Sequence, residues 1–236
     1  MHSYRTWVED KDLASFHVKL GESDILIRAD QPLYQEAKSS LAYHRRLLED
    51  YIKQDPAFGT SLKPYAIDQQ APAIVQEMSA ASLSADVGPM AAVAGAVAEY
   101  VGRDLLKQTR QIIVENGGDI FMSTTQARKV GIFAGKSPLT GKLAFEIAPG
   151  KSWGICTSSG TVGPSLSFGQ ADSAVAICKS ASLADAWATR LANAVNSAAD
   201  IDQALGLVKD QPEVKGVIII VGEQLGVWGE IKLIKS

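Results

Sequence analysis

Asp185 and Thr189 stand four residues apart in Ala184-Asp185-Ala186-Trp187-Ala188-Thr189. On a helix that spacing sends a carboxylate and a hydroxyl from one face. Oxygen donors of this kind suit a hard cation such as magnesium, above all where phosphate groups complete the coordination. The same stretch has a structural reading, because Ser182-x-x-Asp185 is a capping-box arrangement with its acid favoured by the helix dipole. Two turns rich in small residues stand beside it as candidates. Asn116-Gly117-Gly118-Asp119 falls between β-rich runs and reads as a hairpin turn whose central residues need positive φ. Its backbone N–H groups can also face an anion, and Asp119 is the candidate acid or base. Thr157-Ser158-Ser159-Gly160 follows a strand, and its hydroxyls and glycine can hold phosphate oxygens or simply turn the chain.

Other chemistries find little support. The chain has no G-x-S-x-G elbow, H-E-x-x-H pair, Walker loop or G-x-G-x-x-G fingerprint. Its three histidines, His2, His17 and His44, all fall in the first fifth, and His44 beside Arg45 and Arg46 reads as a surface residue. Cys156 and Cys178 belong to no C-x-x-C pair and read as reduced, buried thiols. A net charge of −3 without a basic stripe gives no footprint for nucleic acid. No apolar stretch approaches the ~20 residues that span a bilayer, and the N-terminus lacks a signal-peptide run, so a cytoplasmic location and no membrane partner are expected.

These candidates need elements to position them. Two strands are expected within residues 16–29, around the turn Gly21-Glu22. A helix follows from Pro32 to about Gln54, with apolar positions at spacings of three, four and seven, and Asp55-Pro56 ends it. Residues 58–65 read as a loop, and 71–82 as a shorter helix. Pro89 is suited to a first helical position, so a helix over 90–107 is expected to start just after Gly88. Its run of Ala91, Ala92, Ala94, Gly95 and Ala98 lets a backbone or a flat ligand come close. Strands are then expected at 111–115, 120–122, 130–134, 143–148, 153–157 and 172–178. Helices follow at 182–198 and 201–209, and strands at 217–221 and 229–233. The order is α+β, not a βαβ alternation. With no linker to divide it, the chain reads as one domain over residues 1–236, and its apolar helix faces permit a homodimer.

Taken in order, Asp86-Val87-Gly88-Pro89…Gly95, Asn116-Gly117-Gly118-Asp119, Thr157-Ser158-Ser159-Gly160 and Ala184-Asp185-Ala186-Trp187-Ala188-Thr189 resemble the ApbE-like superfamily. Its named members are magnesium-dependent FAD:protein FMN transferases, which attach FMN to a threonine of a partner protein. The stretch from Gly88 to Glu99 is more specifically similar to a cytosolic branch of that superfamily. The resemblance implies a T-fold-related α+β domain with a mixed, mostly antiparallel sheet and flanking helices. It implies that Asp185 and Thr189 match the metal-binding A-D-x-x-x-T. Asn116, Gly117, Gly118 and Asp119 then match the hairpin beside the flavin, and Thr157, Ser158 and Gly160 match the T-S-G turn. A small-molecule ligand is implied: FAD, FMN or another phosphate-bearing compound, with the helix N-terminus at Gly88 facing its phosphates. Three departures stand out. The lysine of D-x-G-G-x-A-K-G is replaced by Ala94, H-x-x-D-P-x-T-G has no counterpart after Gly160, and the early M-G-T strand motif is missing. The alternatives are an active FMN transferase with an altered pocket, and a binding or scaffold protein that keeps the fold without the chemistry.

Overall fold

Alternation of apolar side chains decides the architecture. In β3 (Ile112–Asn116), Ile112 and Val114 join one apolar cluster while Ile113 joins another on the opposite face. The computed structural model, which describes residues 11–160 and 169–236, shows what these two faces meet. Eight strands form one sheet in the order β1-β2-β3-β4-β7-β8-β9-β10, antiparallel at every pairing. They are β1 (Ala14–Leu20), β2 (Ser23–Ala29), β3, β4 (Asp119–Ser123), β7 (Ser152–Ser158), β8 (Ser173–Cys178), β9 (Val214–Val221) and β10 (Gln224–Gly229). A small sheet of β5 (Arg128–Gly131), β6 (Leu143–Ile147) and β11 (Leu233–Lys235) shares the second cluster.

The helices cover the first face. They are α1 (Tyr34–Gln54), α2 (Pro56–Thr60), α3 (Ala73–Ala85), α4 (Val93–Leu105), α5 (Ala181–Asn193) and α6 (Ile201–Gly206). The expected α+β class and largely antiparallel sheet are present. Several boundaries differ. The single helix expected over 90–107 is a 3-10 turn, Pro89–Ala92, followed by α4. The chain bends by 105° between α3 and this unit, with Asp86 left-handed at φ 54 and Pro89 behind it. The loop expected at 58–65 begins inside α2. The strand expected at 229–233 falls on the bend between β10 and β11, where Gly229 takes φ 90. No single described helix is long and apolar enough to cross a membrane; the bent pair of α3 with the Pro89–Leu105 unit passes only by length and composition.

His44 is the plainest correction. It is buried, and its Nε2 lies 2.9 Å from Asp104 Oδ2, which also accepts from Ser40 Oγ at 2.8 Å. Burial raises the Asp104 carboxyl, but the hydrogen bonds from Lys107, His44 and Ser40 outweigh it and hold the group down at about 2. His17 is exposed beside Asp24 at 3.6 Å, and His2 lies outside the described residues.

Candidate functional site

The β3–β4 hairpin, the end of β7 and the start of α4 meet at one end of the large sheet. Asn116 pairs with Asp119 across the turn, and Gly117 and Gly118 take φ 69 and 112. Both positions are conformations that a side chain rarely adopts, which is why two glycines stand here. Asn116 is anchored, because its Nδ2 donates to Ala94 O at 3.1 Å. Ile120 pairs with Ile155, so Asp119 sits beside Cys156 on the helix-covered face.

Asp119 is buried. Its carboxylate meets the Cys156 thiol and accepts from Thr157 N–H, while no donor among the described residues reaches its Oδ1. Burial is the main reason its pKa is pushed up to about 7; the Glu115 charge adds to the rise and the two hydrogen bonds oppose it. Cys156 and Cys178 are both buried free thiols, as expected. Cys156 Sγ also contacts Ala181 O at 3.3 Å.

Asp185 occupies the second turn of α5 and reaches across to α4. Its Oδ2 accepts from Gly95 N at 2.8 Å, and Ala94 N–H also donates to the carboxylate. These are N–H groups of α4's first turn, which have no partner within their own helix. Asp185 therefore caps α4, not α5. The capping box expected from Ser182 and Asp185 does not form: Ser180 caps α5, its Oγ accepting from Leu183 N at 3.3 Å, and Ser182 Oγ is buried with no partner among the described residues. Burial pushes the Asp185 carboxyl well up, and the nearby charge of Asp119 adds to it, against the N–H groups of Gly95 and Ala94. The Asp119 charge thus reaches Asp185 at this end of the sheet.

Glu99 of α4, not among the candidate site residues, does the converse. It is buried, and its Oε2 accepts from Ala181 N at 2.7 Å, Ser182 N at 3.3 Å and Ser180 Oγ at 2.9 Å. Its Oε1 accepts from Arg103 Nη2 at 2.5 Å, and Arg103 forks onto Glu77. The two helices exchange acids, each buried carboxylate serving the other's N-terminus. The signal was present, since Glu99 follows Gly95 by one turn along the small-residue stripe. Backbones touch where they cross. A Cβ on Gly95 would lie 2.2 Å from Ala181 O, and one on Gly154 of β7 would lie 2.3 Å from Ser180 O.

The remaining candidates divide. Ser158 Oγ is buried with no partner among the described residues. Thr157 and Thr189 are partly exposed. Ser159 and Gly160 are stitched to Ala171, by Ser159 Oγ at 3.3 Å and Gly160 N at 2.9 Å. Gly88 opens the 3-10 turn and not α4, and a Cβ there would meet Ser61 O at 1.9 Å. Its backbone backs onto the chain after α2, while the N–H groups at the start of α4 are those held by Asp185. Residues 161–168, where the histidine segment of the transferases was sought, lie outside the described residues. No group of three or more His, Cys, Asp or Glu able to hold a metal occurs among the described residues.

Asp119 carries a pH signature. Its folded pKa lies above the ordinary carboxyl value of 3.8. The stability it contributes is full below that value and is lost as pH rises toward about 7. Asp119→Asn is expected to flatten the decline in unfolding free energy across this window, read by urea denaturation at successive pH values. An unchanged slope would mean that Asp119 titrates normally.

A strand-rich sheet thus carries helices on one face and buried acids at its hairpin end. A family model described as "AbpE bacteria" matches residues 5–215, and the chain belongs to that family, within the ApbE-like superfamily. A UPF0280 protein of Methanosarcina barkeri is 41% identical over 219 residues, covering 91% of this chain and 86% of the relative. A second, from Methanococcus vannielii, is 42% identical over 230 residues, covering 93% and 92%. Among solved structures, the flavin transferase ApbE from Vibrio cholerae superposes with a TM-score of 0.61 at 13% identity, covering 92% of this chain and 97% of that one. The apo flavinyl transferase ApbE of Pseudomonas stutzeri gives 0.60 at 12% identity, with 92% and 93% covered. At such identities the likeness is one of fold.

Proposed function

We propose that this chain binds a flavin nucleotide, FAD or FMN, at the hairpin end of the large sheet, with magnesium held there by Asp185 and Thr189. The observation that supports the reading best is the pair of buried acids. The Asp119 charge helps to raise the Asp185 carboxyl, and Asp119 Oδ1 has no donor among the described residues. Two desolvated carboxylates at one end of the sheet are costly, and a bound cation would relieve both. Their oxygen chemistry suits magnesium, which keeps several ligands from water or phosphate and needs few from protein. Magnesium would offset the charge of the carboxylates and of the incoming phosphates together. The Gly117-Gly118 tip has open space around both Cα atoms, so a ligand can approach its backbone N–H groups. Ser158 Oγ offers a further hydroxyl at the same sheet end. The name of the Vibrio cholerae protein supplies the flavin as ligand class.

The second reading has its own observation. The 2.8 Å bond from Gly95 N to Asp185 Oδ2 gives that acid a structural task that needs no ligand. Ala94 also stands where the transferases carry lysine, and its backbone is occupied by Asp185 and Asn116. We therefore assign binding to the site and leave transfer of FMN to a protein outside the proposal. A thermal-shift series separates the readings. FAD with magnesium chloride is expected to raise the melting temperature by several degrees, ATP with magnesium much less. No shift with FAD or FMN would favour the scaffold reading.

A further inference from the structure

Resting on the binding reading, we infer that Glu99 is a positioning residue for Asp185: it sets the height of α5 against α4 and so the place of the carboxylate one turn further along. Glu99 takes the first N–H groups of α5, and Asp185 takes N–H groups of α4's first turn. Between them the backbones have no slack, because Gly95 already lies against Ala181 O and Gly154 against Ser180 O. A shift of α5 that lengthens the Glu99 bonds must also move the Asp185 carboxylate relative to Gly95 and Asp119. Arg103, forked onto Glu77 and bonded to Glu99 Oε1, holds the Glu99 head from the other side. Ser180 closes the arrangement, its Oγ donating to Glu99 and lying within reach of Glu77. The charged groups facing Glu99 are thus Glu77 of α3 and Arg103 of its own helix, and neither touches Asp185.

The test compares Glu99→Gln with wild type by site-resolved amide hydrogen exchange on the full chain, beside FAD binding in magnesium chloride. Glutamine keeps the shape but weakens the charge-assisted bonds to α5. Exchange at Ala94 and Gly95 is expected to rise about 10-fold, while the central strand amides of Val217 and Ile219 change far less. Binding of FAD with magnesium is expected to weaken by about the same factor, in line with a displaced ligand carboxylate. A merely structural role would speed exchange evenly across the sheet. Uniform acceleration, or none at Ala94 and Gly95, overturns the inference. Should Glu99→Gln fail to fold, Glu99→Asp keeps the charge on a shorter stem and is expected to show the same selective pattern at reduced size; a wild-type pattern there overturns the inference equally. If FAD binds to no variant and not to wild type, the binding reading fails, and the exchange pattern still decides the role of Glu99.

Discussion

Gly95→Ala is expected to destabilise the protein by on the order of 3 kcal/mol, because its methyl enters space already held by backbone. The added Cβ would lie 2.2 Å from Ala181 O, 2.7 Å from Ala181 C and 2.9 Å from Asp185 Cβ. None of these is the flexible end of a side chain, so α4 and α5 must separate. Separation lengthens both acid contacts, and the loss exceeds that of a simple overpacked methyl. For a chain of this size the melting temperature should fall by roughly 6–12 °C. Gly117→Ala is the control. Nothing lies within 4 Å of its Cβ, and only its φ of 69 opposes the change, for a cost of about 1 kcal/mol. If denaturant unfolding ranks the two in the other order, the close crossing of α4 and α5 is wrong.

Replacing Asp185 separates its two tasks. Asp185→Asn keeps an oxygen that can accept from Gly95 and Ala94 N–H, and it removes the repulsion with Asp119. Its stability is expected to stay within about 1 kcal/mol of wild type. Magnesium-dependent flavin binding should nevertheless weaken at least about 10-fold, since a neutral amide is a poor partner for a hard cation. Asp185→Ala removes the acceptor too and leaves two N–H groups of α4 without it. About 2 kcal/mol should be lost in addition to the ligand response. The pair of variants divides the readings. If Asp185→Ala unfolds easily while Asp185→Asn binds FAD and magnesium like wild type, Asp185 is a cap and nothing more.

Much of the fold was legible because it rests on local patterns. The hairpin at Gly117-Gly118 needs positive φ at both residues, and only glycine pairs announce that so directly. The core strands announce themselves through β-branched runs such as Val217-Ile218-Ile219-Ile220, fully buried in β9. Exposed β10 was misplaced because Gln224-Leu225-Gly226-Val227-Trp228-Gly229 carries two glycines and a single β-branched residue. The short α2 hides behind Gly59, a poor helix former. His44 was misread from its neighbours Arg45 and Arg46; the spacing Ala37, Ser40, Leu41, His44, Leu48 traces the buried stripe of α1 and would have placed it inside.

The site was legible as a set of residue types but not as a network. Asp185 looked like a cap for its own helix, because the N–H groups it serves lie 90 residues earlier in sequence. Gly88 drew notice through Pro89, yet the helix it was meant to open begins only at Val93. What helices exchange across a crossing depends on their packing angle, and composition does not report it.

If the acids Asp119 and Asp185 mark a flavin-nucleotide site that works with magnesium, flavin binding must depend on the metal. Calorimetric titration of the full chain with FAD, in magnesium chloride and again in EDTA, measures that dependence. One FAD per chain should bind saturably, about 10-fold or more tighter with magnesium. Absence of heat and of any change in the flavin spectrum, with FAD and FMN alike in both buffers, would contradict it.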